Sequence, residues 1–314
     1  MAGEDRRRPG LVLTATDVEL FRWLWMVRVL TLRQLQRVGY YQPDTGKLSS
    51  LHNVRKRLQR LWNHGYLSGD RLLETRERIY FLAAQALPAL REHCSIPQRR
   101  LYQPRGSGTW RQVQHSLMVS ECAVRVMEAL RHSHLELLNL GPLHMAFYHT
   151  HAVAGTASKK HVERFVSQED LVVPSQAAPI RIRPDLVFAL AKSQHDQPLA
   201  RLYFLEADRG FESAREIAAK LLAYHHYASA LDPHDSTRYR WQRYGAVRDF
   251  RILLVTTERQ RARSLTRSLR DKPGYELTAV ASLDAVKEEN PVFDPIWTNV
   301  AGRGRALAKK AQLS

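Results

Sequence analysis

Cysteine is scarce in this sequence, and several other features that would define a familiar class of protein are missing. The 314 residues contain two cysteines, Cys94 and Cys122. Two are too few for a disulfide framework or a zinc ribbon, so we expect a reducing, cytoplasmic environment. No apolar run is long enough to span a bilayer, and the opening MAGEDRRRPG lacks the apolar segment of a secretion signal. The absence of a glycine-rich phosphate loop ending in Gly-Lys-Ser or Gly-Lys-Thr argues against a nucleotide-driven motor.

Positive charge is abundant. There are 48 Lys and Arg residues against 31 Asp and Glu, which gives a formal net charge of +17. Such an excess favours a polyanionic partner, and double-stranded DNA fits better than an anionic membrane surface. Hydrophobic residues make up 44% of the chain, enough to bury a core in each of two domains of ordinary size.

Residues 1–93 are predicted to form a winged helix-turn-helix domain. Two capping boxes, Thr16-Asp17-Val18-Glu19 and Thr31-Leu32-Arg33-Gln34, open the first two helices. A third helix is predicted from Ser49 or Ser50 to about Asn63, where Gly65 allows a left-handed cap. The strand-like segments Leu67–Leu73 and Arg78–Leu82 then form the wing.

Basic residues of the third helix and the wing are the candidates for DNA contact. In a winged helix the third helix enters the major groove, where its basic side chains meet phosphates or base edges. Two alternatives stay open: a solvated helix face, or a domain that binds protein. The candidate residues are Arg55, Lys56, Arg57, Arg60, Arg76 and Arg78.

A second domain is predicted over residues 111–300, after a linker at 94–110 that is rich in Pro, Gly and Arg, and before a basic, mobile tail at 301–314. The fold class expected is α+β or α/β, a restriction-endonuclease-like mixed sheet flanked by helices. Helices are predicted at Arg111–Arg131, Phe211–Ala230 and Gln260–Arg270. Strands are predicted at Leu135–Leu140, His144–His149, Val162–Val173, Ile182–Leu190, Leu202–Ala207, Arg251–Thr256 and Glu276–Ala281.

Two of these strands carry acidic residues near one end. Asp185 lies at the start of the first, and Glu206 and Asp208 lie at the end of the second. Residues i and i+2 of a strand point to the same face, so three carboxylates would converge if the strands are neighbours. Such a group would hold Mg²⁺ or Mn²⁺ for phosphodiester chemistry. The alternative is ordinary ion pairing with nearby arginines, namely Arg183, Arg201 and Arg209.

Five segments together resemble the replication-relaxation family, which is related to the MobC-type relaxases of mobilisable plasmids. They are QHSLMVSE on a helix, RPDLVF, FLEADRG, KLLAY and a closing FDPIW, and the resemblance covers about residues 14–298. It implies a PD-(D/E)xK-type nuclease domain that nicks or relaxes plasmid DNA.

The resemblance also implies roles for single residues. Pro184-Asp185 matches the PD element, and Glu206-Ala207-Asp208 matches (D/E)xK with Asp in place of Lys. Lys220 would replace the missing Lys if its helix packs beside the site. Further matches are Tyr224 on the same helix, and His115 and Glu121 on the first helix of the domain.

Three functions are therefore weighed. The first is a Mg²⁺- or Mn²⁺-dependent DNA endonuclease with Asp185, Glu206 and Asp208 as metal ligands. The second is a catalytically inactive DNA-binding accessory factor or regulator, acting with other replication or mobilisation proteins, because Lys is absent at position 208. The third is a relaxase with a tyrosine nucleophile and a metal site at His149-Thr150-His151, with His161 nearby.

Overall fold

The chain is divided into two compact units, residues 1–113 and 114–314. The computed structural model describes residues 11–72, 75–94, 110–131, 133, 135–141, 146–150, 162–166, 172–173, 180–192, 200–232, 235–244 and 247–308. The greater part of the predicted linker, residues 95–109, lies outside these ranges. None of the described helices is both long enough and apolar enough to cross a membrane.

The first unit combines helices with a small antiparallel sheet. Its sheet has the strand order β1-β5-β4, while β2 pairs with β3. The helices are α1 (Ala15–Val27), α2 (Leu32–Gly39), α3 (Leu51–Asn63) and α4 (Leu87–Cys94). The strands are β1 (Val29–Thr31), β2 (Tyr41–Gln42), β3 (Lys47–Leu48), β4 (Leu67–Arg71) and β5 (Arg78–Leu82).

The beginning of α1 differs from the prediction. The capping box uses Thr14 and Asp17, rather than Thr16 and Glu19: Asp17 N–H donates to Thr14 Oγ1 at 3.3 Å, and Thr14 N–H donates to Asp17 Oδ2 at 2.7 Å. Both pairs have the spacing of a capping box, and Asp17 is the acid that is fully buried. The box predicted at Thr31 and Gln34 is confirmed at the start of α2.

The end of α3 fixes the direction in which the chain enters the β4–β5 hairpin. Gly65 has φ +75°, which a residue with a side chain adopts only at a cost. Its N–H donates to Trp62 C=O at 2.9 Å, and Tyr66 N–H donates to Leu61 C=O at 3.0 Å. These two bonds form a Schellman motif, and the positive φ of Gly65 is the left-handed cap predicted from the sequence.

The second unit is built on a seven-stranded mixed sheet of order β18-β17-β16-β15-β12-β11-β6. Strands β12, β15 and β16 run parallel, and the other pairs are antiparallel. The helices are α5 (Trp110–Leu130), whose first turn precedes the division between units, α6 (Ala214–Ser229), α7 (Arg259–Leu269) and α8 (Leu283–Glu288). The strands are β6 (Leu135–Gly141), β7 (Ala146–Thr150), β8 (Val162–Val166), β9 (Val172–Val173), β10 (Ile180–Arg181), β11 (Leu186–Lys192), β12 (Ala200–Asp208), β13 (Leu231–Asp232), β14 (Asp235–Tyr239), β15 (Val247–Thr256), β16 (Thr278–Ser282), β17 (Trp297–Thr298) and β18 (Gly304–Arg305).

Three predicted boundaries in this unit are corrected. The strand expected from Ile182 begins at Leu186, so Asp185 immediately precedes it. The helix expected from Phe211 begins at Ala214, because Ser213 and Glu216 form a capping box there. The strand expected from Glu276 begins at Thr278.

The segment expected to continue the main sheet does not join it in the described residues. β7 and β8 pair with each other as a separate hairpin, and β9 pairs with β10. Residues 167–171 and 174–179 lie outside the described ranges.

Alternation along β12 separates the two faces of the sheet. Leu202 and Phe204 are fully buried in a core that includes Tyr224 of α6, Phe250 of β15 and Leu265 of α7. The alternate residue Tyr203 stacks on Phe188 of β11, with ring centroids 5.0 Å apart. Glu206 has the same parity as Phe204, and the strand therefore directs it towards α6.

The segment from Gly302, predicted to be a mobile tail, is docked as far as Ala308. Gly304 and Arg305 pair with β17. Tyr203 OH donates to Leu307 C=O at 3.2 Å, and Ala308 N–H donates to Val292 C=O at 2.9 Å. Residues 309–314 lie outside the described part of the chain.

Candidate functional site

Asp185 and Glu206 lie close together where the start of β11 meets the end of β12. The antiparallel register of β11 and β12 pairs Leu186 with Leu205, and Asp185 N–H donates to Leu205 C=O at 2.9 Å. The N–H of Ala207, the residue after Glu206, donates to the Asp185 carboxylate, and the charge of Asp185 raises the pKa of Glu206. The predicted convergence of these two acids is therefore supported.

Hydrogen bonds from two elements orient the Asp185 carboxylate. Its Oδ2 accepts the backbone N–H of Ala207 at 2.8 Å, which ties it to the end of β12. Its Oδ1 lies 2.9 Å from Nε2 of His115 on α5. His115, proposed from the resemblance, is thus brought to the site.

Glu206 is buried and is held by two side chains of α6. Tyr224 OH donates to Oε1 at 2.6 Å, and Lys220 Nζ lies 3.4 Å from Oε2. Lys220 and Tyr224 are four residues apart on α6, a spacing that places both on one face of the helix. The condition for Lys220 to replace the missing Lys, that its helix packs beside Glu206, is therefore met. Lys220 also donates to Glu212 Oε1 at 2.7 Å.

The protonation equilibrium of Glu206 is strongly perturbed. Burial raises the pKa of Glu206 to about 8, and the charge of Asp185 acts in the same direction, against the opposing effects of Lys220 and Tyr224. Burial acts to lower the pKa of Lys220, but attraction to Glu206 and the bond to Glu212 raise it overall. Burial and the charge of Glu206 raise the pKa of Tyr224 well above its usual value, so its hydroxyl remains a donor. Ionised Glu206 therefore favours an additional positive charge nearby.

Asp208 does not join this group, and the predicted cup of three carboxylates is wrong. Asp208 is 1% exposed, and its Oδ1 accepts the N–H of Gly210 at 2.8 Å. Its Oδ2 accepts Nε of Arg261 on α7 at 2.9 Å. The arginine also donates to the backbone carbonyl of Glu212. Asp208 therefore joins β12 to α7 and to the chain before α6.

Glu121 is also engaged elsewhere. Arg125 Nε, one turn further along α5, lies 3.3 Å from Glu121 Oε1. The alternative pairing of the acids with Arg201 is likewise not found, since Arg201 bonds Asp249 at 2.6 and 2.9 Å. No sequence motif marked Glu212 or Arg261, the two residues that the structure adds to the site.

The metal prediction is therefore reduced to two carboxylates. Among the described residues, no group of three or more His, Cys, Asp or Glu side chains is placed to hold a metal ion. Mg²⁺ nevertheless retains several waters in proteins, and commonly takes one or two carboxylates together with substrate phosphates. Asp185 and Glu206 fit that donor set, and a cation beside them would offset the repulsion that raises the pKa of Glu206.

The basic residues predicted to bind DNA in the first unit fall into two groups. Arg57 Nε donates to the buried carboxylate of Asp17 at 2.9 Å, so this arginine joins α3 to α1. Arg78 is held against α3: its guanidinium lies 5.2 Å from the Trp62 ring centroid and donates to Gln59 at 3.1 Å. The exposed members are Arg55, Lys56, Arg60 and Arg76.

Most of the histidine motif on which the third hypothesis depends lies outside the described residues. The backbone of His149 and Thr150 belongs to β7, whereas His151 and His161 lie outside the described residues. The tyrosine-relaxase alternative stays a prediction.

Fold and site together define a mixed α and β protein in which an Asp–Glu pair ends two central strands. The chain belongs to the replication-relaxation family, whose model matches residues 21–239. Comparison with curated proteins gives no match. The solved structure of restriction endonuclease FokI is similar at 13% identity and a TM-score of 0.30, over 86% of this chain and 42% of that chain. The chain thus spans less than half of that structure's length, and a TM-score this low supports no conclusion.

Proposed function

We propose that this protein is a DNA-binding, metal-dependent phosphodiesterase that nicks or relaxes plasmid or mobile-element DNA. The observation that carries the proposal is the neighbouring pair Asp185 and Glu206, whose charges interact, with the Lys220 ammonium 3.4 Å from Glu206. Two carboxylates where adjacent strands meet, together with one lysine from α6, supply what metal-assisted phosphodiester cleavage requires from a protein.

Each side chain of the group has a distinct part in this proposal. Asp185 and Glu206 would hold Mg²⁺ or Mn²⁺, and the bound ion would supply a Lewis acid that lowers the pKa of a water. Lys220, whose side chain is 41% exposed, stabilises negative charge on the phosphate through its ammonium. His115 and Tyr224 orient the two carboxylates through the bonds of 2.9 and 2.6 Å.

DNA binding is assigned to basic surfaces in both units. The order of helices in the first unit, followed by the β4–β5 hairpin, supports a winged helix with Arg55, Lys56 and Arg60 exposed on α3. In the second unit, α7 exposes Arg263 and Arg267 one turn apart. Both surfaces suit phosphate contacts, which carry most non-specific affinity for DNA.

The test is nicking of supercoiled plasmid by the full chain in Mg²⁺ or Mn²⁺, comparing wild type with Asp185→Asn. Asp249→Asn is the matched control, since Asp249 lies in the same sheet but pairs with Arg201. We expect open-circular product from wild type and Asp249→Asn, and none from Asp185→Asn. Equal nicking by all three proteins would refute the proposal.

A second candidate, a DNA-binding accessory factor without nuclease activity, is favoured by one observation. The position that holds Lys in the nuclease motif is Asp208, and it is buried against Arg261. This candidate replaces the first if the wild-type protein binds DNA in a gel-shift assay with an affinity that depends on salt, but leaves plasmid supercoiled in the presence of either Mg²⁺ or Mn²⁺.

A further inference from the structure

The residues Arg209 to Glu212, in the five-residue connection between β12 and α6, form a loop that is fixed beside the Asp–Glu pair. Gly210 has φ +84°, and its N–H donates to Asp208 at 2.8 Å. At the other end Glu212 accepts Lys220 through its side chain and Arg261 through its carbonyl. The loop is therefore anchored to β12, which carries Glu206, to α6, which carries Lys220, and to α7.

Phe211 is an exposed large hydrophobic residue of this anchored loop. Its ring is 58% exposed, although burying a phenylalanine is worth about 2 kcal/mol. A single exposed apolar residue is ordinary on a protein surface; what distinguishes Phe211 is its setting. The guanidinium of Arg209 lies 5.1 Å from its ring centroid, and Arg209 also donates to Gln114 of α5.

A second exposed aromatic residue shows the contrast. Tyr239 is 42% exposed, but its ring stacks on Trp241 with centroids 5.7 Å apart and an interplanar angle of 7°. Tyr239 belongs to β14, outside the loop that carries Phe211. Phe211 forms a cation–π pair with Arg209 in the loop whose Glu212 bonds Lys220. Aromatic rings and arginine planes near a phosphate are the groups on which unpaired nucleobases stack.

We propose that Phe211, supported by Arg209, is a stacking platform for an unpaired nucleobase beside the phosphate that a cation at Asp185 and Glu206 would hold. This inference rests on the proposed function and narrows its substrate class to DNA that is single-stranded or locally unpaired at the site. The same loop carries the platform and borders the phosphate site, so stacking and phosphate binding would be coupled in position.

The test measures binding without cleavage, by the full chain in EDTA, to duplexes with one unpaired 2-aminopurine and to matched fully paired duplexes. We expect wild type to bind the unpaired duplex more tightly and to quench 2-aminopurine fluorescence. Phe211→Ala and the similarly sized Phe211→Leu should bind the unpaired duplex about 10-fold more weakly, since one stacked base contributes that much or more. Phe211→Tyr should retain both affinity and quenching, and the control Tyr239→Ala should match wild type.

Two outcomes overturn the platform: Phe211→Ala quenching and binding like wild type, or no preference of wild type for the unpaired duplex. Nicking by wild type that Asp185→Asn abolishes would leave the proposed function intact in that case. Conversely, loss of quenching in Phe211→Ala together with no nicking by any protein would support the platform and reject the nuclease.

Discussion

Arg261 Nε donates to Asp208 Oδ2 at 2.9 Å. Asp208 is the residue at the position where the nuclease motif has lysine. Asp208 is 1% exposed at its side chain, and Arg261 is 27% exposed. A buried carboxylate needs a partner, and here the partner comes from α7, which follows β15 in the chain. The departure from the motif therefore has a structural explanation: the acid at position 208 joins two elements, while Lys220 approaches Glu206 from α6.

Replacing Arg261 should destabilise the fold. Arg261→Met leaves the buried Asp208 carboxylate without its charged partner, so we expect a loss of about 3 kcal/mol in the free energy of unfolding. Asp208→Asn in the same chain should recover part of this, because the uncompensated charge is removed. Urea denaturation of both variants and of Arg263→Met, an exposed arginine of the same helix, measures the effect. Equal stability of the Arg261 and Arg263 variants would contradict the assignment.

Lys220 should matter for cleavage and little for DNA affinity. Removing one preorganised donor to a developing negative charge typically costs about 100-fold or more in rate, so Lys220→Met should nick plasmid at most about 1% as fast as wild type. Lys220→Arg should retain more activity, because the positive charge remains. Gel-shift titration should give wild-type affinity for both.

The matched control for Lys220 is Arg215→Met, an exposed basic residue of the same helix. Its nicking rate should equal that of wild type. Lys220→Met cleaving at the rate of Arg215→Met would remove Lys220 from the mechanism.

Stability should fall as the pH rises in the absence of metal. The pKa of Glu206 is about 8 in the folded chain, against 4.5 in the unfolded chain. Between those values the folded protein holds a proton that the unfolded chain has released, so unfolding becomes easier with increasing pH, by at most about 1.4 kcal/mol per pH unit. The favourable contribution of Glu206 to the free energy of unfolding is complete below pH 4.5 and is lost as the pH rises through about 8.

Denaturation in EDTA at pH 6 and pH 9 measures this effect, with Glu206→Gln as the comparison. In Glu206→Gln the free energy of unfolding should fall less steeply with pH, because the contribution of Glu206 is absent. Mg²⁺ at pH 9 should stabilise wild type more than Glu206→Gln, because the ion favours the ionised carboxylate. Parallel curves for the two proteins under all conditions would show that Glu206 neither titrates in this range nor binds the ion.

The sequence predicted the site best where periodicity and strand order decide the geometry. Alternation along β12 placed Glu206 on one face, and the pairing of β11 with β12 brought Asp185 close to it. These relationships are local or follow from a single strand pairing, so they can be deduced from the sequence. Lys220 and Tyr224 were implied by the family resemblance, and the structure brings both to Glu206.

Prediction failed where a distant side chain decides the outcome. Strand alternation alone also predicted that Asp208 points into the site. Only the packing of α7 shows that Asp208 forms an ion pair with Arg261, 53 residues later. Arg57 is a second example of a role decided by a distant side chain, because its partner Asp17 lies 40 residues earlier. Ion pairs between elements leave no periodic trace in a sequence, so basic residues of equal appearance can have different roles.

That difference among the basic residues of α3 gives the last prediction. Arg57→Met should lower the free energy of unfolding by about 3 kcal/mol, since it leaves the buried Asp17 carboxylate without its charged partner. Arg60→Gln should leave stability unchanged and weaken DNA binding, reducing the slope of log affinity against log salt by about one. Fluorescence anisotropy at several salt concentrations and urea denaturation measure both, with the exposed His52→Gln as the control. If Arg60→Gln destabilises the chain, or leaves the salt slope at the value of His52→Gln, then α3 does not contact phosphates through Arg60 and the winged-helix assignment of its DNA surface is wrong.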